Sequence, residues 1–267
     1  MATSGTRSAP ERRSLPYETP AELPLDCRPF IVTVLHLWAD TAFAAVQQHR
    51  PWLDQAPGYE ERWLIARIVN DEMRQGWQLC RLLSEFGADG QALVRVLMDR
   101  REGEHAVAAS NLPLERWSDV AALTALVGRV RLAQLRAFER ATYAPLARVV
   151  PQMLAERQVQ VNFGDQLLRG IVAEPARGGA EEAQSAVDKW HPRALELFDV
   201  VSRPVEEAAA RLGVIPWQGN AERQRYVAEA RQALGQLGLR LPAEEGPPRA
   251  NEGSGAPPAP APASGAA

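Results

Sequence analysis

The chain has 267 residues, 46% of them hydrophobic and 24% charged, enough to bury a full core as one domain or at most two. A net charge of −3 and a pI near 5.9 give no field that favours nucleic acid or an anionic membrane. The two cysteines, Cys27 and Cys80, lie far apart without CxxC spacing, which argues against a zinc site or a disulfide framework.

The first twenty residues contain no apolar core of a secretory signal, and no apolar run reaches the roughly 18 residues of a membrane span. A cytoplasmic protein is the expectation. Residues 1–25, rich in Pro, Ser and charge, predict a disordered or loosely docked arm. The first helix covers about 28–49 and stops at "RPWLDQAPG", where two prolines break the pattern. The second spans 59–86 and ends at "GADG", a glycine-type terminus. A short helix at 91–100 and the loop "REGEHAVAASNLP" follow. The third long helix is placed at about 117–141, opened by Ser118 or Asp119 as cap. After "TYAP" the fourth runs 145–172, with Pro151 expected to kink it. A smaller helical region, 181–237, completes a domain over 26–240, and 241–267 reads as a low-complexity Pro/Ala/Gly tail. No alternating β-branched run marks a strand. Four long helices with a long connection in the middle predict an all-α, ferritin-like four-helix bundle with additional C-terminal helices.

Two of these helices carry polar residues on the face that should meet the core. In 59–86 the apolar stripe Ile65, Ile68, Leu79, Leu82, Phe86 includes Glu72 and Gln75. In 145–172 the stripe Val150, Met153, Leu167, Leu168, Ile171 includes Arg157 and Gln160. Each pair is three residues apart and therefore shares a face. One such pair is more simply a solvated stripe edge; two at matching depth suggest a buried site. A buried carboxylate needs a partner. The expectation is that Arg157 reaches Glu72, with Gln75 and Gln160 meeting the remaining hydrogen bonds. Among the four histidines, His36 reads as a core or edge residue, and His105 in "EGEH" as a solvated loop residue rather than a ligand. Trp38, Trp63, Trp77, Trp117 and Trp190 are most simply packing residues, with Trp38 or Trp77 lining a cavity the weaker reading.

The segments "DEMRQGWQL", "ATYAPLARVVPQMLAERQVQVNFGDQLL" and "AVDKWHPRALELF" resemble the phenylacetate-catabolic family, above all the catalytic component of the ring-epoxidising enzyme complex. That resemblance implies a ferritin-like fold and, in the catalytic component, a di-iron centre that oxygenates an aromatic CoA thioester. Carried over residue by residue, its ligand positions fall at about Ala42 (with Asp40 close by), Glu72, Gln75, Gly128, Arg157 and Gln160. One slot of the six keeps a ligand, so the resemblance does not carry the oxygenase activity with it. The residues leave three readings open. The first is a metal-free, non-catalytic partner in a homo- or hetero-oligomer with another ferritin-like subunit. The second is a repurposed enzyme acting on an aromatic or acyl-CoA substrate with Glu72 as base. The third is a small-molecule-binding module. None calls for a metal, a cofactor, nucleic acid or a membrane.

Overall fold

A computed structural model describes residues 16–199, 201, 203–211, 214 and 219–242. The first helix, α1 (Arg28–His49), has proline in its first turn, where the missing N–H costs nothing. It buries Phe30, Ile31, Val34, Leu35 and Trp38 on one stripe. α1 has the length and hydropathy of a membrane span, yet much of it packs inside the protein. A short α2 (Trp52–Gln55) leads into α3 (Tyr59–Ser84), which packs along α1. The two approach closely at Gly76, where a Cβ would stand 2.7 Å from the Phe43 ring.

Gly87, at φ +93°, turns the chain out of α3, and the Asp89 carboxylate caps α4 (Gly90–Met98) by accepting from the backbone of Gln91 and Ala92. The following loop does not float in solvent as expected. His105 is buried; its Nδ1 lies 2.9 Å from Asp40 Oδ1 and its Nε2 3.0 Å from Gln47 Oε1. Arg100 sits 2.8 Å from the same Asp40 oxygen, and the Ala106 N–H donates to the other at 2.7 Å. Asp40, fully buried on α1, requires those partners, and the loop is folded down to supply them.

The third long helix is longer in expectation than in fact, and it is interrupted. It comprises α5 (Trp117–Ala122), a π-helical turn (Leu123–Val127) and α6 (Gly128–Phe138). Its cap also differs from the one expected. Asp119 works from the third helical position, accepting from the backbone N–H groups of Glu115 and Arg116 and from the Trp190 indole at 2.8 Å. α7 (Ala144–Ala173) runs through Pro151 as one continuous helix. At Gly164 it crosses the π turn so closely that a Cβ would lie 2.5 Å from the Ala125 backbone nitrogen.

α8 (Gly179–Glu196), α9 (Arg203–Arg211) and α10 (Gly219–Gly235) pack around this frame, with Trp190 and Tyr226 in the core. The described part of the N-terminal arm is docked: Tyr17 exchanges backbone hydrogen bonds with Thr142 and Ala144, and Leu23 is buried. Residues 1–15 and 243–267, where the ends of the arm and tail were placed, lie outside the described residues. Trp38 and Trp190 are core residues and Trp117 packs on Trp52. Trp63 and Trp77 are 62% and 49% exposed, contrary to a packing role; they lie on the side of α3 away from its buried stripe.

Candidate functional site

The four long helical segments enclose a cavity of about 40 Å3. α1 contributes Thr41 and His49 to its wall, α3 Glu72, the π turn Thr124, α6 Gly128 and Arg131, and α7 Arg157 and Gln160. The π turn matters here, since one extra residue in the turn re-aims the side chains that follow it.

Glu72 is 1% exposed, and Arg157 Nη2 stands 2.5 Å from its Oε1, so the cross-bundle ion pair forms. The amides behave otherwise than expected. Gln75 turns away and donates to Glu156 Oε2 at 2.8 Å, an oxygen that Arg74 also holds. The Gln160 Nε2 group has no hydrogen-bond partner among the described residues. Of the six positions the resemblance singled out, Glu72, Gly128, Arg157 and Gln160 line the cavity together; Ala42 and Gln75 are buried outside its wall.

The residue that sequence reasoning missed is Arg131. It is buried, donates from Nη1 to Thr41 Oγ1, and lies over the Trp38 ring at 5.6 Å. Burial, and then the neighbouring Arg157 charge, pull its pKa down to about 9, while Glu72 pulls the other way. The available signal was position: Arg131 falls one helical turn past Gly128. Arg129, by contrast, pairs with Asp165 at 2.5 Å and donates to the Ala125 carbonyl.

His49 accompanies the pair. Burial is the main cause that lowers its pKa, with Arg157 in support, so the ring is neutral near pH 7. Its Nδ1 lies 2.8 Å from the Ala45 carbonyl and must donate, which leaves Nε2 as an unpartnered acceptor. Burial raises the Cys80 thiol to about 11, so no thiolate nucleophile stands ready there at neutral pH.

This donor set does not fit a di-iron centre. A guanidinium has no lone pair, and here one occupies the sole carboxylate among the described residues of the cavity wall. Among the described residues, no group of three His, Cys, Asp or Glu side chains is placed to hold a metal ion. A second cavity of about 50 Å3 adjoins the first across Thr41, Val107, Arg131 and Leu197 and is lined by Phe30, Trp38 and Phe138.

An all-α bundle whose four long helical segments converge on a buried polar centre defines the ferritin-like class. The chain belongs to the phenylacetic acid catabolic protein family, whose model matches residues 17–255. It is similar to a component of the 1,2-phenylacetyl-CoA epoxidase of Escherichia coli (strain K12), at 21% identity over 193 residues. That match covers 72% of this chain and 62% of the relative's length.

Proposed function

We propose that this chain is a metal-free, non-catalytic member of a cytoplasmic ferritin-like complex, pairing with another helical subunit of the same family. The observation that carries the reading is the Arg157–Glu72 ion pair, which puts a fixed cation where relatives of this type would need open ligands. The outer flank of α3 supports it. Tyr59, Trp63 and Trp77 are exposed along that helix, and Trp77, Arg74 and Arg81 border a groove of about 630 Å3 beside α4. Exposed aromatics interleaved with arginines are the composition of interface hot spots.

The repurposed-enzyme reading has less support. Arg157 already engages the carboxylate that would act as base. The apolar cavity, at about 50 Å3, is far below the roughly 150 Å3 that admits a benzene ring. An aromatic or acyl-CoA ligand would need substantial opening of the bundle.

The test is co-expression with a family member that retains a full carboxylate–histidine set. Joint purification of the pair, with iron in the partner alone, is the expected result; double substitution Trp63→Ala and Trp77→Ala should weaken the complex at least about tenfold. Iron bound stoichiometrically by this chain on its own would overturn the reading.

A further inference from the structure

The polar centre holds more positive charge than its own carboxylate balances. The charged groups that act on Arg131 are Arg157, which is like-charged, and Glu72, which is already engaged by Arg157. Glu206 shares the wall of the neighbouring apolar cavity with Arg131, but it is absent from the wall of the polar one and is not among the charges that shift Arg131. An uncompensated buried cation is costly, and a bound anion removes that cost.

The unpartnered atoms around the cavity have a definite pattern. Arg131 Nε, Arg157 Nε and Gln160 Nε2 are donors without an acceptor among the described residues. His49 Nε2 is an acceptor without a donor, and Thr124 Oγ1 can serve as either. The Glu72 oxygens accept no hydrogen bond from the described residues and meet Arg157 as an ion pair. All six residues are buried, five of them more than nine-tenths by side chain and Arg157 with its side chain 11% exposed, and all six line the same cavity. Its volume of about 40 Å3 suits a few non-hydrogen atoms, since one water needs roughly 10–15 Å3 on this measure.

We propose that this cavity is a binding site for a small, planar, monovalent oxyanion that carries one O–H group, of the size and chemistry of hydrogencarbonate. Its oxygens accept from the two guanidinium Nε–H groups and the Gln160 amide, while its hydroxyl donates to His49 Nε2. Thr124 completes the shell. A bare halide leaves His49 unsatisfied, and a tetrahedral dianion is both too large and too highly charged. The inference rests on the centre being metal-free and goes beyond the partner role, because it gives the bundle a ligand that takes the place of a metal.

The experiment is thermal unfolding of the full chain at fixed pH and ionic strength in hydrogencarbonate, nitrate or sulfate, with iron content measured on the same sample. Nitrate is the planar monoanion without an O–H; sulfate controls for general salt effects. Hydrogencarbonate at about 100 times its dissociation constant should raise the midpoint by roughly 5 °C or more above the general stabilisation that sulfate gives, and nitrate should add less than hydrogencarbonate. Arg131→Gln should weaken hydrogencarbonate binding at least tenfold. His49→Leu should erase the preference for hydrogencarbonate over nitrate while nitrate still binds. Equal stabilisation of the wild-type chain by all three anions, or by none, overturns the proposal without recourse to any variant. In an iron-free sample that failure leaves the partner reading standing, whereas iron in the sample removes both.

Discussion

Two buried acid–base clusters lie on α1 and its neighbours, and they are built on opposite terms. Around Asp40 every charge has its counterpart: Arg100, His105 and the Ala106 N–H converge on one carboxylate, and the other ring nitrogen of His105 is held by Gln47. Around Glu72 one carboxylate, engaged by Arg157, is set against two guanidinium charges, and residues with unpartnered donors and acceptors line a cavity. The first cluster pins a loop to a helix. The second keeps bonding capacity in reserve, which is what a binding site requires and a structural cluster avoids.

Substitutions can sharpen this contrast. The largest effect is expected from Glu72→Gln, which strips both guanidinium groups of their anion and should cost about 3–5 kcal/mol in urea unfolding. Asp40→Asn should cost less, about 2–3 kcal/mol, because Arg100 has partial access to water and can resolvate. If the two cost the same, the centres do not differ as described. Arg131→Met should act in the opposite direction, stabilising by about 1–2 kcal/mol in a buffer whose only anion is sulfate, since it removes a poorly compensated charge at similar volume.

The smallest effect concerns pH. Burial holds His49, faced by Glu72 and Arg157, and His36, faced by Arg100 and Asp40, below their unfolded value near 6.5. The unfolded chain therefore takes up protons first, so stability is full above about pH 6.5 and declines as the pH falls below it. Calorimetry between pH 8 and 5 should show that decline, and His49→Leu should flatten it. Asp40 behaves differently again. Burial raises its pKa, but the bonds from His105, Ala106 and Arg100 outweigh that and leave it lowered, so its contribution is lost only in acid below about pH 4.

The long helices and the Glu72–Arg157 pair were legible because both follow from one periodicity: residues three apart on a stripe share a depth, and facing stripes meet. The π turn shifts the helical phase of Gly128 and Arg131 together by about 100°, so Arg131 is legible from its spacing to Gly128 and not from the stripe that opens the helix. The Asp40–His105 contact joins residues 65 apart through a loop, and no local pattern encodes it. Trp63 and Trp77 differ from expectation for another reason: their phase sets them opposite Ile65 and Ile68, and helical phase outweighs the general preference of tryptophan for burial.

The crossing at Gly164 has a consequence for how the centre keeps its shape. With backbone against backbone there, α7 cannot slide along the helix that bears Arg131. Arg157 lies seven residues, about 10 Å, along α7 from that fixed point. The spacing of the two stretches of main chain that carry the like charges is thus fixed, as on a ruler, and mutual repulsion can part the guanidinium groups only by turning their side chains.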